Sequence, residues 1–187
     1  MRIIAGSAKK RLLKVPPGWK GRPTADRVKE SLFNILGNHI IDSIFLDLFA
    51  GTGNIGIEAL SRGALRAVFV EKDPRAARTI IQNLKISGLY GDSRVMARDV
   101  YRALTELGSQ KETKEKFDVI FLDPPYGMGF EVPVISRVLE LGLLSPGGLI
   151  IAESSKRVEL PSGIMGYPLV RKERYGDTVI SFYQQAE

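Results

Sequence analysis

The chain has 187 residues, of which 44% are hydrophobic and 26% charged, an ordinary globular composition for one domain. It has no cysteine and a single histidine, His39, which excludes disulfides, cysteine nucleophiles, iron–sulfur clusters and Cys-based zinc sites and leaves little for a His-rich metal centre or a Ser-His-Asp triad. The net charge of +6 is unevenly placed: residues 1–38 carry nine basic and two acidic side chains, whereas residues 39–187 net −1.

We read residues 1–187 as one domain, with a basic extension and first helix over 1–38 and a core over 39–187. A basic segment on a near-neutral body suits a polyanion, most often nucleic acid. Lys9, Lys10, Arg11, Lys14, Lys20, Arg22 and Arg27 are its candidate backbone contacts; the plainer alternative is a solubilising tail. The mostly apolar stretch from Ile40 to Ala50 is interrupted by Asp42 and Asp47 and falls short of the ~18 residues a membrane span needs. No signal-peptide pattern is present, so the expectation is a soluble cytoplasmic protein without a membrane or metal partner.

Turn residues punctuate the extension at Pro16-Pro17-Gly18 and Gly21-Arg22-Pro23. A helix is predicted from a Thr24 cap to a stop at Gly37, with Ala25, Val28, Leu32 and Ile35 on its buried face. Strands and helices then alternate. Strands are predicted over Ile44–Leu48, Ala67–Val70, Arg94–Ala97, Phe117–Leu122 and Leu149–Glu153. Helices are predicted over Ile55–Ser61, Arg75–Ser87, Val100–Leu107 and Val132–Leu141, with Ser109–Lys116 a solvated loop. The strands are continuous apolar runs, as in a parallel sheet covered on both faces, so the chain reads as a doubly wound α/β fold. Leu169–Arg174 and Thr178–Tyr183, separated by Tyr175-Gly176-Asp177, read as an edge β-hairpin.

The first strand runs into Asp47-Leu48-Phe49-Ala50-Gly51-Thr52-Gly53-Asn54-Ile55-Gly56. Gly51, Gly53 and Gly56 satisfy the G-x-G-x-x-G pattern in its strand–loop–helix setting, which lets the backbone approach a nucleotide closely. Glu71 ends the second strand 20 residues beyond Gly51, where a carboxylate accepts from ribose hydroxyls. These features fit a dinucleotide or an adenosyl cofactor alike. Asp47 separates the two, because a carboxylate there opposes a pyrophosphate and favours the ammonium and sulfonium of S-adenosylmethionine. Asp99 follows the third strand, where it accepts from the adenine amine or simply caps the next helix. Phe49, Ala50 and Val100 complete the candidate cofactor set.

The fourth strand ends in Asp123-Pro124-Pro125-Tyr126, at the carboxyl edge where doubly wound folds bind ligands. Two prolines remove two amide donors, leaving a cluster of acceptors suited to an exocyclic amine, and Tyr126 offers a ring on which a base stacks. Otherwise the segment is a rigid turn with Tyr126 in the core.

Asp-Leu-Phe-Ala-Gly-Thr-Gly, the strand-ending Glu71 and Asp-Pro-Pro-Tyr resemble motifs I, II and IV of class I S-adenosylmethionine-dependent amino-methyltransferases. Arg2-Ile3-Ile4-Ala5-Gly6, Arg22-Pro23-Thr24 with Arg27, Glu30, Leu32, Phe33 and Asn34, and Tyr175-Gly176-Asp177-Thr178 with Phe182-Tyr183 resemble the RsmD family of ribosomal RNA guanine-N2 methyltransferases. The resemblance implies a mostly parallel seven-stranded sheet, S-adenosylmethionine as cofactor, and one guanine of 16S ribosomal RNA in an assembling small subunit as substrate. Adenine-N6 methylation of DNA or RNA stays open, since Asp-Pro-Pro-Tyr serves both amines, as does a non-catalytic RNA-binding assembly factor. A dinucleotide-dependent oxidoreductase has only the glycine loop and Glu71 in its favour.

Overall fold

The computed structural model describes residues 1–16, 18, 26–109 and 115–185. Five parallel strands form its centre: β1 (Ile44–Leu48), β2 (Arg66–Val70), β3 (Ser93–Met96), β4 (Phe117–Leu122) and β5 (Leu144–Ser155). β6 (Gly163–Ile164), β7 (Tyr167–Tyr175) and β8 (Thr178–Gln184) continue the sheet antiparallel, in the order β3-β2-β1-β4-β5-β8-β7-β6. The two-residue β6 makes eight strands among the described residues where seven were expected. The order reverses between β1 and β4, the position at which open α/β sheets bind ligands.

Period-two alternation sends successive side chains to opposite faces. Phe45, Phe69, Val119, Phe121 and Ile151 join the core beneath α1 (Asp26–Leu36), α2 (Asn54–Ser61) and α3 (Pro74–Ser87). Leu46, Leu48, Val70, Ile120, Leu122 and Ile150 join the core beneath α4 (Val100–Gly108) and α5 (Glu131–Glu140). Burial of both faces explains the unbroken apolar strand sequences. No helix among the described residues is long and apolar enough to cross a membrane.

α1 buries Lys29, Leu32, Phe33 and Leu36. Val28 and Ile35, expected on the inner face, are only half-buried. The rotation follows from Lys29, whose ammonium lies 3.1 Å from Glu58 of α2 and donates to the Arg2 carbonyl and to Asn54 Oδ1, each at 2.7 Å. Glu58 also accepts from the amides of Ile4 and Ala5, at 2.9 and 3.0 Å, and from Arg62 Nε at 2.8 Å. Burial pushes the Lys29 pKa down while Glu58 pulls it up. Lys29 is therefore internal and does not belong to the basic surface of residues 1–38.

The N-terminal segment is likewise no free arm. Ile3, Ala8 and Leu13 enter the core, Arg2 and Leu12 form an antiparallel bridge, and Lys14 N donates to Asn83 Oδ1 of α3 at 2.7 Å. Lys9, Lys10, Arg11 and Lys14 remain exposed on this docked segment. The Thr24 cap, Ala25, Pro17, the Gly21-Arg22-Pro23 turn and most of the Ser109–Lys116 loop lie outside the described residues.

Glu58→Gln leaves the buried Lys29 ammonium without its counter-charge. The expected loss is about 3–5 kcal/mol of unfolding free energy in urea titrations at pH 7. A loss below about 1 kcal/mol would mean that the amides and carbonyls alone satisfy Lys29.

Candidate active site

A crevice of about 1180 Å³ opens over the carboxyl ends of β1, β2, β4 and β5. It exceeds the ~300–1,000 Å³ typical of one small ligand, which leaves room for more than one. Its floor follows from strand register. Asp47 pairs across with Phe69 and Phe121, and Phe121 pairs with Ile151. Glu71, Asp123 and Glu153 each come two residues after Phe69, Phe121 and Ile151, so period two brings all four acids to one face. All four line the crevice.

Asp47 is 2% exposed, and its Oδ2 accepts from Gly56 N at 2.9 Å. Burial first, with the nearby Glu71 charge, pushes its pKa up to about 7, against the pull of the Gly56 amide. The glycines permit this approach. Gly51 and Gly53 have positive φ, and a Cβ on Gly56 would lie 2.3 Å from the Phe69 ring, so α2 seats directly on β2. Glu71 accepts from Gly51 N and Asp73 N, each at 2.8 Å, which fixes its carboxylate beside the loop. Burial raises the Glu71 pKa and the two amides oppose the rise.

Beside this polar edge lies an apolar slot. Phe49 and Phe130 stand 5.6 Å apart and Tyr101 and Phe130 6.4 Å apart between ring centroids, with Val100 lining the same slot. Asp99 does cap α4, accepting from the amides of Tyr101 and Arg102 at 3.1 and 3.2 Å, and it also lines the crevice. A buried carboxylate for a cation, a fixed carboxylate that accepts from a vicinal diol and an aromatic slot for a purine form a set of partners that fits S-adenosylmethionine. A pyrophosphate would face Asp47.

Pro124 is buried, Pro125 is exposed, and Tyr126 is 45% exposed rather than packed in the core. The Tyr126 hydroxyl donates to Glu153 Oε1 at 3.2 Å and lies 3.3 Å from Thr178 Oγ1 on β8, which tethers the ring at the crevice rim. Burial pushes the Tyr126 pKa up to about 12. The Asp123 carboxyl is raised well above the usual range, first by burial and then by Glu153, Asp47 and Glu131. Glu131, at the start of α5, is 2% exposed, and its Oε1 has no hydrogen-bond partner.

The crevice thus gathers Asp47, Phe49, Ala50, Gly51, Glu71, Asp99, Val100, Asp123, Pro124, Pro125 and Tyr126. Gly53 and Gly56 act behind it, as the αL residue before α2 and as its packing contact. Of the basic candidates, Lys9, Lys10, Arg11, Lys14 and Arg27 are exposed, and Arg11 Nη1 also donates to the Ile86 carbonyl at 2.6 Å. Lys20 and Arg22 lie outside the described residues. Sequence reasoning missed Glu153 and Glu131; the signal for Glu153 was an acid two residues after Ile151, repeating Phe121 and Asp123. No group of three or more His, Cys, Asp or Glu among the described residues could hold a metal ion.

The folded protein holds the Asp47 proton more tightly than the unfolded chain, where aspartate titrates near its ordinary 3.8. Through this group, stability falls as pH rises from about 4 to about 7. Carboxyl-detected NMR of the cofactor-free protein should give an Asp47 midpoint near 7. A midpoint near 4 would show that water solvates the carboxylate.

The family described as "Conserved hypothetical protein 95" matches residues 1–184. YlbH of Bacillus subtilis, provisionally named an rRNA methyltransferase, is 42% identical over 185 residues, 99% of each chain. Ribosomal RNA small subunit methyltransferase D of Escherichia coli K12 is 35% identical over 99% of this chain and 90% of its own. Among solved structures, YhhF of Escherichia coli, provisionally titled a methyltransferase, superposes with a TM-score of 0.84 at 36% identity, covering 99% of this chain and 97% of the other. The glycine loop, Asp-Pro-Pro-Tyr and the edge hairpin therefore sit in a class I methyltransferase fold, and the chain belongs to the Conserved hypothetical protein 95 family, the RsmD family.

Proposed function

We propose that this protein transfers a methyl group from S-adenosylmethionine to the exocyclic N2 amine of a guanine in 16S ribosomal RNA, acting in the cytoplasm on the assembling small subunit. The observation that carries the reading is Asp123-Pro124-Pro125-Tyr126 opening onto the same crevice as Asp47 and Glu71. Its relatives named ribosomal RNA small subunit methyltransferase D support the substrate.

S-adenosylmethionine, when bound, supplies an electrophilic methyl on its sulfonium. Asp47 receives the cofactor's cationic end and Glu71 its ribose hydroxyls. Asp99, held by its capping bonds, accepts from the adenine amine beside Phe49 and Val100, while Ala50 and Gly51 keep the loop close. Guanine N2 is a weak nucleophile because its lone pair is delocalised into the ring. Asp123 and the Pro124 carbonyl accept its hydrogens, orient the lone pair and stabilise positive charge as it develops on nitrogen. The raised pKa makes Asp123 a better proton acceptor than an ordinary carboxylate. Tyr126 stacks on a base that has left its helix. Pro125 keeps the turn rigid.

Lys9, Lys10, Arg11, Lys14 and Arg27 meet RNA phosphates, as Lys20 and Arg22 do in the same reading.

Asp123→Ala should lower single-turnover methylation of ribosomal RNA by on the order of 10²–10³ while cofactor affinity, read by calorimetry, holds. Near wild-type turnover would make Asp123 structural. Lys10 has φ +71, so the basic surface is best neutralised as Lys9→Gln, Lys10→Asn and Arg11→Gln, asparagine tolerating that backbone. Each phosphate contact contributes ~0.7 to the salt slope on single-stranded RNA, so the triple variant should flatten it by about two units. An unchanged slope would reduce these side chains to solvation.

A further inference from the structure

The methyl transfer as derived needs one carboxylate at the amine, yet the crevice holds a second beside it. Leu122 pairs with Ala152, so the next residues, Asp123 just past β4 and Glu153 within β5, stand side by side on the same face. Neighbouring strands run about 4.8 Å apart. Glu153 is 5% exposed and receives the Tyr126 hydroxyl at 3.2 Å. Next to burial, its charge is the largest influence raising the Asp123 pKa. Two like charges this close oppose each other's ionisation, a cost relieved when each meets a donor.

Guanine and adenine differ at the atom beside the amine. In guanine, N1–H lies next to the N2 amine, so the edge presents two neighbouring donor groups. In adenine the N6 amine lies next to a bare N1 acceptor, which would meet the second carboxylate lone pair to lone pair. A pair of adjacent carboxylates matches the first edge and opposes the second.

We propose that Glu153 accepts a hydrogen bond from guanine N1–H while Asp123 engages N2, making Glu153 the residue that selects guanine over adenine. The inference rests on the guanine-N2 reading above and names what enforces it. The tether to Tyr126 couples selection to stacking, because one hydroxyl fixes both the carboxylate and the ring.

The test uses small-subunit ribosomal RNA carrying 2-aminopurine riboside in place of the methylated guanosine. 2-Aminopurine keeps the amine but has an unprotonated N1. The readout is the ratio of kcat/KM for the guanosine RNA to that for the 2-aminopurine RNA. The wild-type ratio should be on the order of 10² or more, since a site built to accept from a substrate N–H rejects an analogue that lacks it. Glu153→Gln, whose amide donates to a bare N1, should narrow it to within about tenfold, and Tyr126→Phe should narrow it partway. A wild-type ratio near one, or a Glu153→Gln ratio equal to wild type with both rates lowered together, overturns the assignment and leaves guanine-N2 methylation intact. No transfer to the guanosine RNA by the wild-type protein overturns both.

Discussion

Asp47 is held out of water at the end of β1 with the Gly56 amide against one of its oxygens. A carboxylate in that position is unfavourable as an anion, and its pKa near 7 expresses the penalty. The surroundings extend the same condition along the sheet: Glu71, Asp123 and Glu153 share the face and the crevice. Amides answer Glu71, a tyrosine hydroxyl answers Glu153, and burial with three neighbouring acids acts on Asp123. A site so built favours a cationic cofactor and a donor-rich base, because both bring positive charge or donors to a cluster of acids. Electrostatic preorganisation of this kind is in place before the ligands arrive.

The support for this edge comes from far along the chain. Lys29 of α1 reaches Glu58 and Asn54 of α2, and the first residues of the chain close over Glu58 with two amides. Because α2 starts where the glycine loop ends, a buried ion pair behind it holds the loop against β2. On the opposite side, the Tyr175 hydroxyl bonds Ser31 of α1, and Thr178 bonds Tyr126. The antiparallel hairpin therefore anchors both the first helix and the base-stacking ring, beyond extending the sheet.

Much of this was readable in the sequence. β1 and β4 coincide with their predicted spans, because strands buried on both faces are apolar runs ended abruptly by acids or turns. β5 begins five residues earlier than expected. Ser145-Pro146-Gly147-Gly148 lies inside the strand, where a register shift between Phe117 and Val119 accommodates it. β6 is too short to leave a pattern. On α1, Leu32 is buried and Val28 and Ile35 pack against the core as expected, but hydrophobic periodicity scores a lysine as solvent-facing, and only the distant Glu58 makes Lys29 internal. The site shows the same division. Asp47, Glu71 and Asp123 belong to local motifs, whereas the alternation along β5 marks only the face of Glu153, and strand pairing sets it beside Asp123.

In the proposed reaction a carboxylate-lined crevice directs a methyl group to guanine N2. The most direct measurement is nucleoside mass spectrometry of small-subunit ribosomal RNA after incubation with the protein and isotopically labelled S-adenosylmethionine. Label is expected in N2-methylguanosine at a single position. Label in N6-methyladenosine, or none in the RNA, would contradict it.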